Sequence, residues 1–468
     1  MQLLYEKSLF IFRRDLRLTD NTGLIAALSQ SKIVIPCFIV DPRQVGAENK
    51  FRSMNAIQFM IESLQDLNLQ LQQRNAQLYI FYGPAPEIVK KLIKQESIDA
   101  VFVNTDYTPF SHKRDKDIEK NCYAQDVVFH SSADLLLNEP GIIKNKQGKP
   151  YSIFTSFYKT ASMIQVEKPV LNRHNNYCTQ KINGHEVHAA LFKKILPTKN
   201  KLIHVHGGRK NGLSYLKRLK KLSTYEDTHN IPRINTTNLS AYIKFGTISI
   251  REVYCAIVKQ IGITSPLLRQ LYWRDFFTTV AYYSPSVFGK PFHKKYAAIP
   301  WDNSKDMFEK WCKGVTGFPI VDAGMRQLNT TGFMHNRVRM IVASFLVKDL
   351  HIDWLWGERY FAQQLVDYDP AVNNGNWQWC AGTGCDAQPY FRIFNPWLQQ
   401  KKFDPDCVYI KKWIPELQKL SPKEIHAWYD VGYNVRHKFL IANIDYPRPI
   451  VDHATASKLV VHLFGGCN

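Results

Sequence analysis

The sequence predicts an α/β N-terminal half, a doubly wound parallel sheet of Rossmann-like type, joined to a larger all-α C-terminal half. Three observations predict it. Short apolar runs alternate with amphipathic stretches over the first 130 residues, periodicity fades from 131 to 200, and a helical pattern holds from Gly212 onward. The expected division is 1–130, a connector at 131–200, and 201–468.

The expected strands are Leu9-Phe10-Ile11-Phe12, Ile33 to Val40, Leu78 to Phe81, Ala100 to Val103 and Val127 to Phe129, with helices near 21–29, 54–73, 85–96 and 111–124. Such alternation gives a parallel sheet covered on both faces. The turn after the first strand reads Arg13-Arg14-Asp15-Leu16-Arg17-Leu18-Thr19-Asp20-Asn21 and lacks G-x-G-x-x-G, so an ordinary nicotinamide cofactor is not expected. Taken alone, its charges read as an ion-paired loop. In the connector, Gly or Pro at 140, 141, 148, 150, 169, 184 and 197, with basic residues at Lys193-Lys194 and Lys199 to Lys201, predicts a segment wrapped on the surface.

Lys plus Arg exceed Asp plus Glu by 61 − 40 = 21 charges, which favours a polyanionic partner, nucleic acid first. Nine cysteines, at 37, 122, 178, 255, 312, 380, 385, 407 and 467, include no CxxC pair, so neither zinc nor a disulfide framework is expected. The N-terminus reads as a strand opening rather than a signal peptide, and no apolar run approaches the ~18 residues of a membrane span. A soluble intracellular monomer, nuclear or cytoplasmic, is the expectation.

In the helical half, Val321 to Pro396 concentrates Asn, Arg, Asp, Trp and Gly as a lined cavity would. Asn336, Arg339 and Met340 fall at i, i+3 and i+4 and share a helix face. A buried Arg339 needs a carboxylate, and Asp367 or Asp369 could supply it from a D-Y-D-P turn where Pro370 stops the preceding helix. Asn373-Asn374-Gly375 is expected to turn, ahead of Trp377 and Trp379. The hydroxyls of Thr236, Thr237 and Ser240 suit phosphate oxygens or an ordinary helix cap, and Gln270 to Phe277 suits stacking on bases or plain packing.

Together these segments resemble the photolyase/cryptochrome family over nearly the whole chain, and most specifically its class I cyclobutane pyrimidine dimer photolyases. Arg13 to Asn21 is similar to the R-x-D-L-R-x-x-D-N opening, Thr236 to Ser240 to T-S-x-L-S, Gln270 to Arg274 to E-x-x-W-R, and Tyr446 to His453 to Y-P-x-P-I-V-D-H. The resemblance implies FAD, active in its reduced form, in the helical domain, with Tyr225, Thr236, Thr237, Leu239 and Ser240 at its pyrophosphate. It places Arg274 toward the flavin, Arg339 paired with Asp367 against the ring, Asp369 accepting from N3–H, and Asn373 facing N5. Gln270, Trp273, Asn336, Arg337, Met340 and Trp379 would meet a flipped lesion, with Asn336, Met340, Gln270 and Asn373 closest to the chemistry.

Trp301, Trp354 and Trp377 match the family's electron-transfer chain from surface to flavin. An antenna chromophore, folate or deazaflavin, is implied near the domain junction, though some folate-binding members carry a Glu near Thr108. The implied function is light-dependent repair of UV-damaged DNA by splitting cyclobutane dimers. Gln270, where class I enzymes carry Glu, is shared with (6-4) photolyases and animal cryptochromes. The His pair of (6-4) enzymes falls on Asn336 and Met340, which cannot serve as acid and base. A (6-4) photolyase or a non-repairing cryptochrome sensor remains the alternative, and the short stretch after His453 favours repair.

Overall fold

The computed structural model describes residues 3–430 and 444–465. Its sheet has five parallel strands, β1 (Tyr5–Phe12), β2 (Ser31–Val40), β3 (Tyr79–Tyr82), β4 (Ala100–Asn104) and β5 (Val128–Ser132), in the order β3-β2-β1-β4-β5. Helices Thr22–Gln30, Met54–Gln72, Ala85–Glu96 and Pro109–Tyr123 cover its faces. Strands β1 to β4 are nearly continuous apolar runs because both faces are covered. The order reverses at β1 and β4, and their C-terminal ends open the crevice in which such sheets bind ligands.

The 131–200 segment is less of a surface wrap than its composition predicts. It forms helices Phe154–Ala161 and His188–Ile195, and buries Phe154, Phe157, Tyr177, Cys178, Leu191 and Phe192. Asn176 and Cys178 exchange backbone hydrogen bonds with Val34 of β2. Its apolar residues are too sparse for a local period, yet each finds a slot in a core built by distant elements.

From Arg209 onward the described chain is helical. The two halves share one core in which Phe59 meets Tyr242 at 5.0 Å and Phe245 at 5.1 Å. At this seam the Arg-Asp-Leu-Arg loop is an interdomain latch. Arg17 pairs with Asp134 at 2.6 Å and donates to Gly246 O, Leu16 N–H donates to Phe245 O, and Arg251 reaches Asp20 and Asp134. Gly246 has φ +62°, and a Cβ there would stand 2.0 Å from Arg14 O, so only glycine permits this approach.

Two local expectations are corrected. Pro370 does not stop a helix; it opens helix Pro370–Ala381, with Asp369 as N-cap accepting from Ala371 and Val372 N–H. Asn373-Asn374-Gly375 therefore lies inside a helix rather than in a turn. The cap, the proline and tertiary packing override the turn preference, since a Cβ on Gly375 would sit 2.2 Å from Phe277 Cδ1. Cys467 lies outside the described residues; the eight described cysteines are free thiols.

Candidate functional site

Two cavities flank the seam. The smaller, cavity A, holds about 430 Å³ within the helical half, and the larger, cavity B, about 730 Å³ at the crevice beyond β1 and β4. Both fall in the range of cofactor sites, ~300–1,000 Å³. Lys244 and Tyr368 line both.

Cavity A gathers residues far apart in the chain: Tyr225, Thr236, Thr237, Leu239, Ser240, Gln270, Arg274, Asn336, Arg337, Arg339, Met340, Asp367, Asp369, Asn373 and Trp377. Arg339 and Met340 follow Asn336 on helix Asn336–Lys348, and Asn336 Nδ2 approaches Met340 Sδ at 3.8 Å, so the expected shared face forms. Arg339 Nη2 meets both Asp367 oxygens, at 3.2 and 3.0 Å, while its Nε donates to Met334 O at 2.8 Å. Arg337 donates to Asn230 Oδ1 at 2.6 Å and lies over the Phe403 ring at 4.4 Å.

Asp369 is committed on two sides. Besides capping its helix, it pairs with Arg14 from the β1 turn, which also reaches Asp106 at 3.2 Å. Burial opposes its charge, but Arg14 and Arg274 outweigh burial and hold the carboxyl below the usual range. Arg14 answers in kind: burial lowers its pKa, Asp369 and Asp106 raise it further, and the guanidinium stays charged. Lys244 has no such surplus, and burial first, then Arg14, pushes its ammonium down to about 7.

Asn373 donates Nδ2 to Glu358 O at 3.1 Å, which leaves its carbonyl end free of that contact. The hydroxyls of Thr236, Thr237 and Ser240 do not cap helix Ser240–Lys244, whose N-cap is Leu239. They remain in the cavity wall instead. Arg274 donates Nη1 to Leu135 O at 2.7 Å, and its Nη2 is buried without a protein partner. Hydroxyls and a spare guanidinium nitrogen suit a phosphate, while the Arg339–Asp367 pair and an oriented amide suit the polar edge of a flat heterocycle, so the wall fits a flavin dinucleotide.

Four of the expected residues stand outside this wall. Trp273 stacks on Phe154 with centroids 3.7 Å apart. Trp379 is half-buried on the helix of Trp377, two residues on and therefore facing elsewhere. Trp354 is buried at the start of helix Trp354–Gln364, and Trp301 packs on Phe464 at 5.8 Å. Arg14 and Lys244 were not anticipated. Arg14 stands in the motif at 13–21, but nothing in the sequence ties it to a carboxylate 355 residues away.

Cavity B is lined by Arg13, Arg14, Arg43, Arg52, Arg114, Lys244 and Arg359 against Asp41, Asp106 and Glu358. Arg13 Nη2, Arg52 Nε and Arg114 Nη2 are buried without protein partners. An anion would satisfy them.

Comparison with known proteins agrees with both halves. The family model described as DNA photolyase matches residues 8–172, and that of the FAD binding domain of DNA photolyase matches residues 267–465. The deoxyribodipyrimidine photo-lyase of Alkalihalophilus pseudofirmus is 35% identical, with 97% of each chain covered. An archaeal photolyase from Sulfolobus tokodaii, solved with two FAD molecules, is 42% identical at TM-score 0.88, covering 98% of this chain and 100% of its own. A class III photolyase from Agrobacterium tumefaciens is 33% identical at TM-score 0.91, with 100% and 98% covered.

Proposed function

This chain belongs to the DNA photolyase family, and within it we propose a light-driven lyase that splits cyclobutane pyrimidine dimers in UV-damaged DNA. One observation carries the reading. A single cavity presents a charge-balanced polar face, Arg339–Asp367 with Asn373, and a proton-inert mouth, Gln270 with Asn336 and Met340. FAD held in cavity A supplies the light-driven electron transfer.

The chain's own residues bind and orient. Thr236, Thr237, Ser240 and Arg274 hold the phosphates, with Tyr225 and Leu239 beside them. Arg339 and Asp367 present a neutral pair to the ring edge, and Asn373 offers its carbonyl end as an acceptor for a protonated ring nitrogen. Asp369 reaches the ring only while keeping Arg14 and its cap, so its first task is to join the halves.

At the mouth, Gln270 and Asn336 are exposed and can bond the edges of a flipped base, with Met340 and Arg337 beside them. Neither an amide nor a thioether moves a proton near pH 7, which suits bond scission by electron transfer and not (6-4) chemistry. Trp379, which is half-buried and stands outside the wall of cavity A, is proposed to stack on the part of the lesion that remains beyond that wall. Trp273 stacks one face on Phe154 and is proposed to meet the lesion with the rest of its ring. Trp301, Trp354 and Trp377 are proposed to carry electrons between the surface and cavity A.

Cavity B is proposed to hold an antenna chromophore bearing phosphate or carboxylate. Besides folate and deazaflavin, a second flavin enters the field, because the Sulfolobus relative carries two FAD molecules. DNA is the partner and a monomer the working unit; no described helix is long and apolar enough to cross a membrane.

The test is illumination of fully reduced, FAD-loaded protein with an oligonucleotide containing one thymine dimer. Restored thymines are expected under blue light and not in darkness. Binding without restoration would leave the sensor reading standing.

A further inference from the structure

Trp377 is in ring contact with Trp311 and Phe361, neither of which belongs to the set Trp301, Trp354 and Trp377. Trp377 lies in the wall of cavity A and meets Trp311 with centroids 6.2 Å apart. Trp311 is fully buried and fixed by an Nε1 hydrogen bond to Val342 O at 3.1 Å. Beyond it lies Tyr360, at 5.7 Å, half-buried, whose hydroxyl donates to Asn329 Oδ1 at 2.7 Å at the surface. A Cβ on Gly357 would sit 2.1 Å from Trp377 Cη2, so glycine holds the helix of Tyr360 in contact with Trp377.

Electron transfer falls off steeply with distance, and rings in van der Waals contact are its fastest stations. Tryptophan and tyrosine can each lose an electron, whereas phenylalanine does not at comparable potentials. A second surface ring, Trp356, connects to Trp311 only across Phe308, at 5.2 and 5.8 Å. Among the described residues the unbroken run of oxidisable rings is therefore Trp377, Trp311, Tyr360.

We propose that Trp311 and Tyr360 form a second electron-transfer branch into cavity A, diverging from Trp377 and ending at a surface tyrosine. The proposal rests on cavity A holding FAD. Under light, Trp377 yields one electron to the oxidised flavin. Trp311 refills Trp377, and Tyr360 refills Trp311. Trp311 keeps its Nε1 proton, since the Val342 carbonyl is no base, and passes the vacancy on as a cation. At Tyr360 the O–H bond breaks: the electron goes to Trp311, and the proton goes to water because its two acceptors, the Asn329 amide and the Cys312 carbonyl, are too weak as bases to hold it. A soluble thiol restores the phenol by giving a hydrogen atom, and two thiyl radicals couple to a disulfide.

Photoreduction of the oxidised FAD-loaded protein with dithiothreitol tests this, read by transient absorption and electron paramagnetic resonance. Trp354→Phe should retain part of the photoreduction and a tyrosyl radical signal. Adding Tyr360→Phe should abolish that signal, with reduction dropping to the level of Trp377→Phe. Tyr360→Phe keeps the ring and removes a half-buried hydroxyl bonded to Asn329 Oδ1 and Cys312 O, and so decides the matter even if Trp311→Phe does not fold. Complete loss of photoreduction in Trp354→Phe alone, or a tyrosyl signal surviving Tyr360→Phe, would overturn the branch. Dimer repair by chemically reduced Tyr360→Phe should match the unsubstituted protein. If neither repairs, the proposed function fails, while the radical signal still decides the branch.

Discussion

The two cavities share a wall yet differ in how far their charge is balanced. In cavity A the guanidinium of Arg339 faces Asp367, and Asp369 is matched by Arg14, so apart from the spare Nη2 of Arg274 most charge is neutralised before a ligand arrives. In cavity B, Arg13, Arg52 and Arg114 each keep a buried nitrogen without a protein partner. Cavity A presents dipoles and balanced pairs, which suits the proposed placement there of a ring whose charge changes during the reaction. Cavity B is built to receive a fixed negative charge.

The sharpest way to break this contrast is Asp369→Ala. It removes the helix cap and leaves Arg14 with Asp106 alone, so a loss of roughly 3–5 kcal/mol is expected by analogy with broken buried pairs. Urea denaturation and FAD retention would measure it. A loss under about 1 kcal/mol would mean that Asp106 suffices and Asp369 is not the joint.

Next in size is Gly357→Ala. Its helix faces cavity B through Leu355, Glu358 and Arg359, yet the added methyl strikes Trp377 in the wall of cavity A. Overpacking should cost about 1–3 kcal/mol and slow photoreduction, with cavity B less affected. Equal damage to both sites would blur the distinction.

The shared wall gives a pH signature. Lys244 titrates near 7 in the fold, chiefly through burial, against ~10.4 when unfolded. Between those values the unfolded chain binds more protons, so this residue makes stability rise with pH; below 7 its full cost is present. Lys244→Met should flatten the rise in melting temperature between about pH 7 and pH 9.5, a slope that Lys348, also pushed to about 7 by burial, continues to feed. An unchanged slope would show that Lys244 is not the group responsible.

The smallest effect is expected at the mouth of cavity A. Gln270→Glu would convert a neutral hydrogen bond to a base edge into a charge-assisted one, roughly twice as strong. A modest gain in repair yield under limiting light is expected; identical yields would remove Gln270 from the list of residues that tune repair.

Much of this contrast escapes a sequence reader. The Arg339–Asp367 pair was legible because a buried arginine on an amphipathic helix demands a carboxylate and the candidates were few. The residues alone left Asp367 and Asp369 open, and the family resemblance chose Asp367; the physical reason, that Asp369 is claimed by Arg14 from the other half of the chain, is visible only in the fold. Asn373 to Gly375 misled because N-N-G favours a turn locally, and the contrary forces, the Pro370 start and the Phe277 ring against Gly375, act from the fold. Trp311 drew no notice since a tryptophan in an amphipathic helix reads as core, which it also is.

By itself the sequence determined the five strands, the helical half and the motifs that carry the family resemblance, because periodicity and capping act within a turn or a strand. Only the tertiary structure decided which charges cancel, where the two cavities lie and which rings touch. Coulomb energy, burial and ring contact depend on distance through space, and here the decisive partners, Arg14 with Asp369 and Trp377 with Trp311, are set by packing rather than by order along the chain.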